Sequence, residues 1–253
     1  MDFEEERIFE MKTLLKRAQR VLEDHPLVFD LANDLGEKFR VKGRLDEAKE
    51  FYELSLAGKM KVFGAENTKT LDTLNNLGIV YKNQGNYEMS MQIYDQVLTV
   101  KEKTLGKTHP STLDTMMNIA VAWKVGFKDY AKAEVMYRRA LDGYEKSLGK
   151  KHVLTRRCAR NTAILYGWTL KSREKTLALV KEYPILLQAG GGFSDQQMNV
   201  IRTLVQEQML IEERRRLERL NLSDVGEEEE EDEEQQGQKR PKRPKGNLDK
   251  SAP

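Results

Sequence analysis

The stretch GKTHPSTLDTMMNIA, residues 106–120, repeats with variation the stretch GAENTKTLDTLNNLG, residues 64–78. Both stretches begin with glycine, share Thr-Leu-Asp-Thr in the middle and end on a small residue. The two copies lie 42 residues apart. A period of about 20 to 50 residues is typical of stacked supersecondary units, so we expect a repeat architecture.

The period continues in both directions from these two copies. The small residues that align are Gly36, Gly78, Ala120 and Ala163, at spacings of 42, 42 and 43. Each is followed three positions later by an aromatic residue, and positions i and i+3 share one face of a helix. The pattern predicts a first helix in each unit, whose small residue lets a neighbouring helix approach closely. The aromatic residues are Phe39, Tyr81, Trp123 and Tyr166.

A turn and a second helix follow the first helix of each unit. Gly43 and Gly85 supply the turn, because glycine tolerates the left-handed conformation at a helix end, and the third copy of the turn is one residue longer. A small residue then precedes a tyrosine by four positions, on one helical face. These pairs are Ala48 and Tyr52, Ser90 and Tyr94, and Ala133 and Tyr137. We predict four helix pairs, at residues 26–67, 68–109, 110–152 and 153–190.

The pattern Leu-Gly-x-x-Tyr followed by Ala-x-x-x-Tyr resembles the tetratricopeptide repeat, whose usual unit has about 34 residues. The unit of 42 residues, with the stretch LNNLGIVYKNQGNYEMSMQIYDQVL, is similar to the repeats of kinesin light chains. The extra residues lengthen the second helix by about two turns. The resemblance implies an all-α fold, a right-handed α-solenoid of helix pairs whose first helices line a concave, peptide-binding groove.

The segments outside the repeats are expected to cap the array or to remain unfolded. Residues 1–25 are predicted to form a capping helix. Ser194 and Gln197 match a capping box, which predicts a C-terminal helix over residues 193–222. Residues 223–253 hold an acidic run and then a basic cluster, with almost no apolar side chains, so we expect a disordered tail.

Charge and cysteine content exclude several classes of function. Ten of the 41 acidic and six of the 43 basic residues lie in the tail, which leaves 31 and 37 in the first 222 residues. This mild positive balance does not favour a nucleic-acid partner. A single cysteine, Cys158, gives no disulfide, and no apolar run is long enough to span a membrane. The N-terminus is too acidic and polar for a signal peptide.

No catalytic or metal site is predicted, and no cofactor. His25, His109 and His152 occupy equivalent positions at the starts of repeats, which favours a linker or N-cap role over metal ligation. Cys158 has no histidine partner in a catalytic arrangement. The glycines at 190–192 lack the sequence of a phosphate-binding loop and are interpreted as a hinge.

The face of each first helix opposite the small residue is the candidate binding surface. Asn76, Asn118 and Asn161 recur in one phase there, and an amide can donate and accept, as binding of an extended backbone requires. The alternative is that each asparagine only ties its helix to the next repeat. Arg40 stands alone among acids in the first unit, whereas later units add cations, which favours a partly acidic ligand. The predicted groove residues are Asn75, Asn76, Lys82, Asn118, Lys124, Arg157, Arg160 and Asn161.

The sequence therefore predicts a non-enzymatic adaptor, monomeric and cytoplasmic, that binds an extended, partly acidic protein segment. One alternative is a cargo-adaptor subunit of the kinesin light chain type. Another is a nuclear histone or nucleic-acid assembly factor that acts through its acidic and basic tail. A nuclear-localisation-like cluster in that tail comprises Lys239, Arg240, Lys242 and Arg243.

Overall fold

The computed structural model describes residues 3–187 and 194–238 of the chain, and all regular elements in these two ranges are helical. The predicted all-α class is therefore confirmed. The described part divides into two compact units, the first ending at Val200 and the second beginning at Ile201.

The first unit contains the helix pairs of the α-solenoid. A helix α1, Phe3–Leu22, precedes them. The first helices of the four pairs are α2 (Pro26–Val41), α4 (Thr68–Asn83), α6 (Pro110–Ala122) and α8 (Val153–Ile164). The second helices are α3 (Leu45–Phe63), α5 (Tyr87–Thr104), α7 (Tyr130–Leu148) and α9 (Arg173–Glu182). Each helix packs against the one before it and the one after it, from α1 to α9.

In the first two repeats the small residue of the first helix lies against the tyrosine of the second helix, which is the close helix approach that the sequence predicts. A Cβ atom at Gly78 would lie 2.7 Å from Cε1 of Tyr94, and one at Gly36 would lie 2.9 Å from Cδ1 of Tyr52. Both tyrosines are fully buried. In these two repeats the core thus forms where a helix without a bulky side chain allows an aromatic ring to lie against its backbone.

The N-terminus of every first helix is capped by the residue before it. The side chains of His25, Asn67, His109 and His152 each accept a hydrogen bond from the backbone N–H two residues later. For the three histidines the acceptor is Nδ1, at 3.2 to 3.3 Å. The N-cap role of the histidines is confirmed, and it explains why they recur at the starts of repeats.

The turns within the repeats are of two kinds. In the first two repeats a glycine, Gly43 or Gly85, adopts a positive φ, as predicted. In the third and fourth repeats the first helix ends in a π-helical turn, Trp123–Phe127 or Leu165–Thr169, and Lys128 or Lys171 takes the positive φ. A π turn accommodates one residue more than an α turn, which accounts for the longer third copy.

The terminal helices differ from the predicted bounds at the C-terminal side. The buried residues Ile8 and Leu15 belong to the same hydrophobic core as α2, so α1 covers that end of the repeats. Ser194 and Gln197 exchange the two hydrogen bonds of a capping box. The helix they begin, α10, is Asp195–Gln238, and it continues beyond residue 222 through the acidic run.

Three features named from the sequence lie wholly or partly outside the described residues. They are the glycines at 190–192, the part of the tail from residue 239 onward, and the basic cluster of Lys239, Arg240, Lys242 and Arg243.

We predict that His109→Ala lowers the free energy of unfolding by about 1 kcal/mol, because the N–H of Ser111 loses its acceptor. His109→Asn should retain the stability of the parent, since Asn67 performs the same role in the second repeat. Urea denaturation of the two variants measures the difference. Equal losses in both would show that the cap contributes nothing.

Candidate peptide-binding groove

The predicted face of the first helices forms a cleft across the second, third and fourth repeats. Its volume is about 330 Å³. Four of the eight predicted groove residues line it, and apolar side chains lie between them. The lining residues are Asn75, Ile79, Asp114, Met117, Asn118, Val121, Arg157 and Asn161.

The asparagines tie neighbouring repeats together and also keep free acceptors. Nδ2 of Asn118 donates to Oδ1 of Asn75 at 3.3 Å, and Nδ2 of Asn76 donates to Oδ1 of Asn33 at 3.4 Å. The structural alternative considered from the sequence is therefore observed for Asn76 and Asn118. Their Oδ1 atoms accept no hydrogen bond from any described residue. The fold thus uses the amide N–H groups of Asn76 and Asn118 and leaves their Oδ1 atoms without a described donor.

At each of the three junctions between successive repeats, one aspartate of the first helix forms a bridge that links its own repeat to the next. These bridges were not predicted from the sequence. Asp72 Oδ1 accepts from Lys101 Nζ of the second helix of its own repeat at 2.7 Å. The same oxygen accepts from Ser111 Oγ of the next repeat at 3.0 Å. The side chain of Lys101 is only 2% exposed, so its charge depends on these partners.

The junctions on either side of Asp72 repeat this arrangement with other donors. Asp30 lies 3.0 Å from Lys59 Nζ of its own repeat and 4.0 Å from Lys69 Nζ of the next. Asp114 accepts from the hydroxyl of Tyr144 at 2.7 Å and pairs with Arg157. The recurrence of an aspartate every 42 residues was visible in the sequence and could have shown this bridge. These aspartates are structural charges of the groove.

The predicted groove cations separate into two groups. Arg157 is bound to Asp114, and Arg160 also has an interaction within the chain. Lys82 and Lys124 occupy equivalent positions 42 residues apart, and their side chains form no ion pair or hydrogen bond with any residue in 3–187 or 194–238. Both side chains are half-buried.

The electrostatics of Lys82 and Lys124 agree with this placement. Burial lowers the pKa of Lys124 below its ordinary value. Burial also lowers the pKa of Lys82, and the positive charge of Arg40 adds to that effect. A lowered pKa means that the surroundings disfavour the charged ammonium. An added negative charge would therefore be stabilising at both positions.

The other candidate sites have no chemistry to support them in the described residues. Residues 3–187 and 194–238 contain no group of His, Cys, Asp and Glu that could hold a metal ion. Cys158 is fully buried, and burial raises the pKa of its thiol to about 12, so it is no nucleophile. No described helix is long and apolar enough to cross a membrane.

We predict that Asp72→Ala lowers the free energy of unfolding by about 3 kcal/mol, because it removes the carboxylate from the buried ammonium of Lys101. Lys82→Ala, on the same helix, should change it by less than about 1 kcal/mol, since no described acid depends on Lys82. Chemical denaturation distinguishes the two. Similar losses would contradict the division into structural and unpaired charges.

Comparison with known proteins finds similarity to tetratricopeptide repeat proteins, in sequence and in fold. Residues 69–146 match the family model of the tetratricopeptide repeat. No curated protein matches the chain. Among solved structures, BtubC (BKLC) from P. vanneervenii is similar with a TM-score of 0.67 and 14% identity, over 99% of this chain and 100% of that one.

Two further structures share the fold. A putative kinesin light chain from Podosopora anserina, with nearly identical TPR-like repeats, has a TM-score of 0.59 and 20% identity, over 74% of this chain and 90% of that one. The apo form of RapI has a TM-score of 0.56 and 14% identity, over 78% of this chain and 56% of that one. At these identities the likeness establishes the fold alone.

Proposed function

We propose that the chain is a non-enzymatic adaptor, because residues 69–146 match the tetratricopeptide repeat model and the helix pairs share the fold of a putative kinesin light chain. It binds an extended segment of a partner protein in the cleft formed by α4, α6 and α8. The observation that carries the proposal is the lining of this cleft, where apolar side chains lie beside amides whose hydrogen-bonding capacity the fold does not fill.

An extended peptide matches this lining better than a folded surface or a small molecule does. A peptide in extended form exposes its own N–H and C=O groups, and the free Oδ1 atoms of Asn76 and Asn118 can accept from those N–H groups. Ile79, Met117 and Val121 supply the apolar contacts between the amides. A small molecule would require an enclosed pocket, whereas stacked repeats create an elongated concave surface.

The partner segment is proposed to be partly acidic. Lys82 near the end of α4, and Lys124 in the turn after α6, come three residues after the cleft residues Ile79 and Val121. In the described chain neither side chain has an acidic partner. The aspartates of the groove face are already bound to Lys59, Lys101 and Arg157. On the first helices of the second and third repeats the aspartates are paired and these lysines are not, which favours carboxylates on the ligand.

A cargo-adaptor role of the kinesin light chain type is a second candidate. The shared fold with the putative kinesin light chain of Podosopora anserina favours it. Such a role predicts that the full chain binds a purified kinesin heavy chain fragment directly. It also predicts a cytoplasmic location. Absence of binding in analytical ultracentrifugation would remove this candidate and leave the general adaptor proposal standing.

To test the groove, short random peptides can be selected by display on the full chain and their affinities measured by fluorescence anisotropy. Asn118→Ala combined with Asn161→Ala should weaken a selected peptide by roughly tenfold or more, because each lost contact contributes about 1 kcal/mol. Both residues line the cleft, so the effect should not depend on which selected peptide is used.

Gln92→Ala combined with Gln96→Ala is the matched control, since these two amides are exposed on the second helix α5. The control should bind as the parent does. If both double variants bind like the parent, the peptide lies elsewhere and the groove assignment is wrong.

A further inference from the structure

Side-chain amides link the first helices at two of the three junctions between repeats. Nδ2 of Asn76 donates to Oδ1 of Asn33 at 3.4 Å, and Nδ2 of Asn118 donates to Oδ1 of Asn75 at 3.3 Å. The two donors lie 42 residues apart in the sequence, and so do the two acceptors. The same pair of positions therefore forms the same hydrogen bond at both junctions.

The third junction keeps the donor position but has lost the acceptor. Asn161 stands at the donor position, 43 residues after Asn118. Met117 stands at the acceptor position, 42 residues after Asn75, and a thioether is only a weak acceptor. In the part of the chain that the structure describes, the side chain of Asn161 forms no hydrogen bond. Its amide is therefore not used to join the third and fourth repeats.

The unused amide is accessible from the groove. Asn161 is half-buried, and it lines the same cleft as Met117 and Asn118. At Asn76 and Asn118 the fold occupies Nδ2, so only Oδ1 remains for a ligand. At Asn161 both Oδ1 and Nδ2 remain. The fourth repeat thus presents a donor and an acceptor side by side, where the two repeats before it present an acceptor alone.

A side-chain amide with both groups free complements one residue of an extended chain. In a paired strand, such a residue directs its N–H and its C=O to the same side. Oδ1 of Asn161 can accept from that N–H while Nδ2 donates to that C=O. Two hydrogen bonds to one residue fix its position along the groove, whereas one acceptor fixes it less.

We propose that Asn161 is the anchor of the groove, which binds the N–H and the C=O of one residue of an extended partner segment and so sets the register of that segment. The inference rests on the proposed function of the groove, and it adds which residue positions the ligand. The anchored residue lies at the junction of the third and fourth repeats, where Met117 and Val121 supply apolar contacts.

A peptide backbone fits the anchor better than a nucleic acid does. The edge of an adenine base also presents a donor beside an acceptor, and asparagine binds it through both. Binding of nucleic acid, however, depends on cations that neutralise phosphates. Arg157, the arginine that lines the cleft, is already paired with Asp114. The uncharged backbone of a peptide requires no such cation.

Met117→Asn tests the anchor by restoring the acceptor that the first two junctions have. The new Oδ1 should accept from Nδ2 of Asn161, so that one of the two hydrogen bonds to the ligand is lost. The probe is a fluorescein-labelled peptide selected by display on the full chain, and its Kd is measured by fluorescence anisotropy. Met117→Asn should raise this Kd about fivefold, which corresponds to one hydrogen bond.

Asn75→Met is the matched control, because it makes the reverse exchange at the second junction and releases Nδ2 of Asn118. It should bind the probe at least as tightly as the parent does. Both exchanges alter the lining of the cleft by one methionine and one amide. Equal weakening by the two would show that packing, and not the amide of Asn161, controls the affinity, and would overturn the anchor.

An N-methyl scan of the probe tests the same contact on the parent chain and does not depend on the folding of Met117→Asn. Each methylation removes one backbone N–H from the peptide. Methylation at the anchored position should raise the Kd about fivefold or more. In Asn161→Ala the same methylation should have no further effect, because the acceptor of that N–H is gone. In Asn118→Ala it should keep its full effect.

The outcomes separate the anchor from the groove function. If Asn118→Ala with Asn161→Ala weakens the probe but no methylation depends on Asn161, the anchor is wrong and the groove function stands. If that double variant binds the probe like the parent, or if display selects no peptide, both are wrong. An oligoadenylate that binds the parent more tightly than the probe, and does not bind Asn161→Ala, would assign the amide to a base edge and overturn the proposal.

Discussion

An aspartate at the start of each of the first three repeats joins three helices, and the stacking of the array depends on it. Asp72 receives the buried ammonium of Lys101 from its own second helix and the hydroxyl of Ser111 from the next first helix. A charge as deeply buried as that of Lys101 is costly unless it is paired, so it fixes the position of the carboxylate. Apolar packing brings the repeats together without direction, whereas this bridge specifies their register.

The bridges also decide which charges of the groove are available to a partner. A cation that neutralises an aspartate, as Arg157 neutralises Asp114, cannot bind a ligand without breaking the junction. The side chains of Lys82 and Lys124 form no ion pair with any described residue. Burial lowers the pKa of both, so a nearby negative charge would stabilise their charged form. In the proposed function, the groove binds through charged residues that form no bridge between repeats.

Much of the fold follows from the sequence, because its signals are local and recur. The spacing of Gly36, Gly78 and Ala120 predicted the first helices and their partners, and the histidines indicated where those helices start. The candidate site was predictable only as a face. Which of its charges are paired depends on how far Lys101 or Arg157 reaches across a junction, and a periodic pattern contains no such distance.

The period makes the groove a set of parallel rows that run across the repeats. Asp72, Asn76, Ile79 and Lys82 lie three or four residues apart along α4. The same order recurs in α6 with Asp114, Asn118 and Val121, followed by Lys124 in the π-helical turn after α6. In the proposed binding mode, an extended chain that crosses the second and third repeats meets an amide, an apolar side chain and a lysine in each. Because its own side chains alternate in direction, such a chain can place its backbone on the amide row and direct carboxylates toward the lysine row. In this proposed mode the type of contact varies across the width of the groove, and the repeat sets where along its length each contact recurs.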